Sequence, residues 1–309
     1  MGLSTVDALY AELRAAAPAS GAADGAEATV ATQVAPGIRV LALRTPTLPP
    51  AAHTNAYLVG PERGPQLLVD PGSPYPGSQA VLDAVLAADL RAGRPLAAVL
   101  LTHHHGDHVG GAPALAARGV PVWAHAATAD RLVGLVPIAR AIAGDEVLDI
   151  GGLAVTALHT PGHAAGHLCF EVAGSGATLA GDMVASVGTI LIEPSEGDMG
   201  QYLAGLARLL ARPPGMLLPA HGAPIADGPA KLRQYIAHRL MREARVVAAL
   251  EHRAGVPATI GELVPHAYSD TPAALWPLAA LSLRAHVDKL VRDGRVHATD
   301  DAHFALRLL

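Results

Sequence analysis

From Ile38 onward, short apolar runs broken by Gly, Pro and Asp recur at Ile38 to Leu43, Asn55 to Val59, Gln66 to Asp70 and Ala97 to Leu101. Their length and branched residues predict strands, and the amphipathic stretch Ser78 to Ala92 predicts a helix between the last two. A helix over Ala112 to Arg118 and a strand over Val120 to Ala124 are predicted next, then a less regular region to Gly144. Strand patterns return at Leu153 to Leu158, His167 to Val172, Ala177 to Ala180 and Met216 to Leu218, with a helix at Gly200 to Leu210 before the last. Strands at hairpin spacing with helices interspersed predict sheets packed together and helices outside, an α+β arrangement.

Two segments flank this core. Residues 3–17 read as an amphipathic helix capped by Ser4 or Thr5, and residues 18–36, rich in Ala, Gly, Ser and Pro, read as a flexible linker. At the other end, Gly228 to Arg253 is a long helical connector. A helix over Ala273 to Asp293, closed by Gly294, then precedes short strands at Arg295 to His297 and His303 to Leu306. Helix, turn and a two-stranded wing outline a small winged-helix domain. The expected division is therefore 1–36 as helix and linker, 37–227 as the catalytic domain, and 228–309 as connector and winged helix.

Composition narrows the partners. The 309 residues carry a net charge of -5, which gives no general attraction for nucleic acid. The charge is uneven: residues 231–309 hold 11 Arg and Lys against 8 Asp and Glu, so the C-terminal segment is the basic part. Cys169 is the only cysteine, which rules out an intramolecular disulfide. No signal peptide pattern opens the chain, and no run of about 18 apolar residues suggests a membrane span. A cytoplasmic location is the expectation, and a homo-oligomer is compatible with the sequence.

The chemistry is concentrated where the strand Ala98 to Leu101 runs into Thr102-His103-His104-His105-Gly106-Asp107-His108. In an extended segment alternate side chains face the same way, so His103 and His105 can address one point while His104 faces elsewhere. Gly106 allows a sharp turn, and Asp107 and His108 follow at a helix entry, aimed at a second point nearby. Two ligands for each of two metal ions could thus come from one segment. Three further candidate ligands sit at strand ends: His163 in His159-Thr160-Pro161-Gly162-His163, Asp182 after Leu179-Ala180-Gly181, and His221 after Leu217-Leu218-Pro219-Ala220. Imidazole and carboxylate donors without thiolate favour zinc, with iron and manganese as alternatives. Cys169 reads as packing.

This set of motifs resembles the metallo-β-lactamase superfamily, on its glyoxalase II-like side, over about Ile38 to Asp227. The resemblance implies a four-layer αββα sandwich with the metals at one edge. It implies that His103, His105 and His163 hold the first of two divalent ions, that Asp107, His108 and His221 hold the second, and that Asp182 bridges them. Asp107 and Asp182 are accordingly the candidate catalytic carboxylates. Asp70, in Leu68-Val69-Asp70-Pro71-Gly72, matches the aspartate that orients a ligating imidazole in that family. His238-Arg239, Arg242-Glu243, Gly261-Glu262-Leu263 and Ala285-His286-Val287-Asp288-Lys289-Leu290 resemble the winged-helix extension of two-domain bacterial and animal members. One animal branch of these is known as an endoribonuclease.

Two ions sharing a bridging hydroxide imply hydrolysis, and a small ester, thioester or lactone is the first expectation for the substrate. Cleavage of single-stranded RNA is the alternative. A β-lactamase, or a non-enzymatic winged-helix binding protein, ranks below both. His167 and Tyr202 are candidate substrate contacts. His159 and His53 are weaker ones, and the remaining histidines are expected to be structural or at the surface.

Overall fold

The computed structural model describes residues 30–307; the helix expected over 3–17 and the linker up to residue 29 lie outside the described residues. The expected strands form, and their neighbours in space explain their composition. Strands β1 (Thr32–Ala35), β2 (Ile38–Arg44), β3 (His53–Val59), β4 (Gln66–Val69), β5 (Leu96–Leu100), β6 (Val122–His125) and β7 (Arg140–Ile142) lie side by side in that order in one sheet. The first four pair antiparallel, and the pairs from β4 to β7 are parallel. A second sheet runs β12 (Met216–Pro219), β11 (Ala177–Gly181), β10 (Leu168–Val172), β9 (Leu153–His159), β8 (Val147–Ile150).

These two sheets share one apolar layer. Tyr57, Val59, Val69 and Leu100 of the larger sheet pack with Val155, Leu168, Phe170, Leu179 and Leu218 of the smaller. The alternate residues of the larger sheet, Leu41, Leu58, Leu68 and Val99, face the opposite way. They meet Leu82 and Val85 of helix α1 (Pro76–Arg91) and Leu115 of a helix over Ala112–Ala117. The period-two alternation of β2 and β3 thus serves two cores, whereas β4 and β5 are apolar nearly throughout because both of their faces are buried.

Part of the stretch expected to be linker is strand: residues 32–35 pair with β2, because Gly37 at φ 72 closes a tight hairpin. The less regular region before Gly144 holds strand β7 and a short helix over Ala126–Arg131. The His125 side chain caps that helix by accepting from the Ala127 N–H, and its ring stacks on His159 with centroids 4.1 Å apart.

Close contacts divide the chain into two compact units that are not contiguous in sequence. One comprises 30–159, Gly166–Gly188 and Pro214–Gly228, and so holds both sheets. The other comprises Thr160–Ala165, Thr189–Pro213 and the chain from Pro229 onward. In this second unit the long helix spans Gly228–His252, followed by helices over Ile260–Ala267 and Trp276–Arg292 and by the small sheet β13 (Ala258–Thr259), β15 (His303–Leu306), β14 (Val296–Ala298). Val246, Leu250, Leu263, Leu283, Val287, Leu290, Val296 and Phe304 form its core. The helix over Ile260–Ala267 starts with a reciprocal cap: Thr259 Oγ1 accepts from the Glu262 N–H, and the Glu262 carboxylate accepts from the Thr259 N–H. Among the described residues, no helix is long and apolar enough to cross a membrane.

One buried carboxylate ties the first unit together. Asp89 of α1 is 2% exposed and accepts from Arg39 of β2, Gln66 of β4 and Arg94. Burial opposes its ionisation, but the hydrogen bonds from Arg39, Arg94 and Gln66 outweigh it and hold the carboxyl below its ordinary value. Asp89→Asn is expected to lower unfolding stability by about 3 kcal/mol, since it leaves two guanidinium groups without their counter-charge. A depressed folded-state pKa contributes stability above the unfolded-state pKa, and that contribution fades as pH falls toward the folded value. The gap between wild type and Asp89→Asn in urea titrations should therefore be full at pH 7 and narrow progressively below about pH 4.

Candidate metal centre

Parallel pairing of β4 with β5 sends both strand ends to the same edge, and β11 beside β12 does likewise in the second sheet. From these ends the chain delivers Asp70, the segment Thr102 to His108, Asp182 and His221. Asp70 follows β4 directly, with a left-handed φ of 52, an uncommon conformation that Asp tolerates better than most residues. In that conformation its carboxylate accepts from the Thr102 N–H at 2.8 Å and from Thr102 Oγ1 at 2.7 Å, and it lies 2.8 Å from His108 Nδ1. A four-residue helical turn, Gly106–Val109, carries Asp107 and His108 as expected.

The ring nitrogens are sorted by these partners. His108 Nδ1–H donates to Asp70, His221 Nδ1–H to the His53 carbonyl at 3.1 Å, and His163 Nδ1–H to the Leu191 carbonyl at 2.9 Å. Thr102 Oγ1, whose proton goes to Asp70, is 2.9 Å from His103 Nδ1 and accepts from it. Each of these rings is thereby fixed with Nε2 as the nitrogen left to accept a ligand bond. His103 Nε2 comes within 2.9 Å of His105 Nδ1. Two groups of donor atoms result within the first unit, each with its members within 4.8 Å of one another: His103, His105 and Asp182 in one, and Asp107, His108 and His221 in the other. Asp182 Oδ1 also lies 3.6 Å from His108 Nε2 and 3.4 Å from His221 Nε2, so one carboxylate faces both groups.

The field at this place favours positive charge. Burial pushes the His108 imidazole down, but Asp107, Asp182 and Asp70 outweigh it and hold it well above its usual value; His221 is raised in the same way, chiefly by Asp182. Burial alone would raise Asp182 and Asp107, yet the two imidazoles keep both carboxyls low, Asp182 well below the ordinary range. His108 Nε2 is buried with no hydrogen-bond partner among the described residues. Imidazole nitrogens and ionised carboxylates converging at 3.4–3.9 Å, longer than ordinary charge-assisted hydrogen bonds, are the donor chemistry that suits a divalent cation.

Several expectations change. His167 is fully buried, and its Nε2 accepts the Asp182 N–H at 3.0 Å where Gly181 turns the chain at φ 48, an orienting role in place of the expected substrate contact. Tyr202 is fully buried, with the Arg239 guanidinium 5.3 Å from its ring centroid. His53 contributes its carbonyl, to His221. His104 falls outside both donor groups. Cys169 is packed, its thiol directed at the Ala180 carbonyl at 3.4 Å.

Three orienting residues were missed by the sequence reading. Thr102 links Asp70 to His103. Asn55 Nδ2 donates to the carbonyls of Pro219 and Gly222, on either side of His221, and Tyr57 OH donates to Pro219 as well. Only Thr102 had a visible signal, its place between the apolar strand and His103.

Comparison with known proteins bears on this geometry. Residues 49–221 match the metallo-beta-lactamase superfamily, and residues 259–304 match the beta-lactamase associated winged helix domain. The lactamase-like protein vrtG of Penicillium aethiopicum is 33% identical over 86% of this chain and 84% of its own length. An atrochrysone carboxyl ACP thioesterase of Aspergillus chevalieri is 35% identical over 64% of this chain and 60% of its own. Among solved structures, a beta-lactamase domain protein from Burkholderia ambifaria superposes with a TM-score of 0.77 at 23% identity, covering 92% of this chain and 96% of that one.

His167→Leu removes the acceptor for a buried N–H and should cost about 1–3 kcal/mol in unfolding free energy. His167→Gln, which restores a carbonyl acceptor, should recover part of that loss in the same denaturation assay.

Proposed function

Because the chain belongs to the metallo-β-lactamase superfamily and carries the winged-helix domain associated with it, we propose that it is a metal-dependent hydrolase of a small thioester, ester or lactone. The observation that carries this reading is Asp182, whose carboxylate faces both groups of imidazole donors. In this reading His103, His105 and His163 would hold one divalent ion, Asp107, His108 and His221 would hold a second, and Asp182 would be a ligand for the pair. Zinc suits the all-nitrogen-and-oxygen donor set. When bound, two such ions lower the pKa of a shared water toward neutrality and draw electron density from a substrate carbonyl.

The chain's own groups supply orientation and a place for the proton. Asp70 holds His108, and the His53 carbonyl holds His221, each in the tautomer that turns Nε2 inward. Asp107 and Asp182, kept ionised by the neighbouring imidazoles, are the carboxylates that would stand beside the attacking water.

A thioester is favoured within the substrate class by the fungal relative named as an acyl carrier protein thioesterase. A second reading, cleavage of single-stranded RNA, draws on the winged helix and on the basic balance of residues 231–309. That balance is largely consumed internally. Arg242 and Arg245 pair with Asp270, Arg253 with Glu262, Arg284 with Asp288, Lys289 and Arg295 with Glu243, and Arg292 with Asp198. Phosphate contacts need cations that are free to replace counterions.

Purified protein with added zinc or manganese is expected to turn over an acyl thioester or a lactone, and Asp182→Asn to abolish that turnover while leaving the fold intact by circular dichroism. Metal-dependent cleavage of single-stranded RNA that disappears in Asp182→Asn, without ester or thioester turnover, would reverse the ranking. Asp70→Ala should weaken zinc binding about 10- to 100-fold in competition with a chromogenic chelator.

A further inference from the structure

Arg239 presents a physical puzzle. It is 2% exposed, no carboxylate among the described residues pairs with it, and its Nε has no hydrogen-bond partner there. A charge buried in this way is costly, and a neutral residue of similar volume would be cheaper to bury. What the guanidinium adds is directional. It donates to the Ile190 carbonyl and lies over the Tyr202 ring.

Both partners lead to His163. Ile190 precedes Leu191, whose carbonyl accepts from His163 Nδ1–H at 2.9 Å. Tyr202 stands in the first turns of the helix Met199–Ala211, against the backbone of Gly162. A Cβ on Gly162, where φ is 130, would lie 2.1 Å from the Tyr202 nitrogen. The same helix start holds Gly162 directly, because the Asp198 N–H donates to the Gly162 carbonyl at 2.7 Å while the Asp198 side chain caps the helix and takes Arg292. The loop bearing His163 is thus held from two sides, by the Leu191 carbonyl and by the Tyr202 turn, and Arg239 grips both the neighbouring Ile190 carbonyl and the Tyr202 ring.

We propose that Arg239 is a positioning residue for His163: by clamping the Ile190 carbonyl and the Tyr202 ring it sets the direction of His163 Nε2. This rests on the reading of His163 as a metal ligand. The guanidinium is suited to the task because it is planar and permanently charged, so it can stack and donate at once. Lysine would keep the charge and one donor but not the flat contact with Tyr202.

The test compares zinc affinity by chelator competition, and the visible spectrum of the cobalt-substituted protein, in wild type, His163→Ala, Arg239→Met and Arg239→Lys. Asp89→Asn serves as a control destabilised elsewhere. Arg239→Met is expected to weaken one of the two ions about 10- to 100-fold, leave the other unchanged, and shift the cobalt spectrum in the direction that His163→Ala shifts it. Arg239→Lys should fall between, and Asp89→Asn should bind metal like wild type. A folded Arg239→Met with wild-type zinc affinity and cobalt spectrum overturns the inference. If that variant does not fold, Arg239→Lys decides, and a wild-type spectrum there overturns it equally. Should wild type bind no zinc, or His163→Ala bind it as tightly as wild type, the ligand reading fails first and takes the inference with it. If His163→Ala loses an ion and the Arg239 variants do not, the inference alone fails.

Discussion

The Asp70 carboxylate is the contact on which the rest of the rim depends. Its two oxygens receive the Thr102 N–H, the Thr102 hydroxyl and His108 Nδ1. Through Thr102 it fixes the exit of β5 and the His103 ring, and through His108 it fixes the turn that carries Asp107. A carboxylate is the one short side chain that can accept all three, since an amide would offer a donor to at least one of them. The left-handed backbone at this position is held by the surroundings and aims the carboxylate back across the strand end.

Much of the fold was legible in the chain because its strands are short, apolar and well punctuated. β2, β9 and β15 appear where the alternation places them, and the long helix begins at Gly228 as expected. Strands β1, β7 and β8 were not legible. Each has charged or exposed residues and owes its conformation to a neighbouring strand, as Thr32–Ala35 does to β2 and Arg140–Ile142 to β6. The grouping of Thr160–Ala165 and Thr189–Pro213 with the C-terminal chain was equally hidden, because a contact between stretches so distant in sequence leaves no local period.

The candidate donors were readable for a different reason: chemistry at a strand exit contrasts sharply with the apolar run before it. What could not be read was direction. His167 and Tyr202 look like donors or pocket walls by composition, yet both are spent inside, one accepting the Asp182 N–H and the other lying beneath Arg239. The groups that orient the rings are as often backbone carbonyls as side chains, those of His53 and Leu191 among them, and a carbonyl has no signature in a sequence.

The donors share one trait of placement. Asp70 and Asp182 immediately follow β4 and β11, and His103 and His221 come within a few residues of the ends of β5 and β12. Side chains so near the sheets inherit the rigidity of the sheets, while the chain beyond each of them is left to vary. A scaffold of this kind separates inheritance from innovation. A segment such as 132–139, which carries none of these donors and none of the groups that orient them, can lengthen, shorten or change character without moving the atoms on which the chemistry turns.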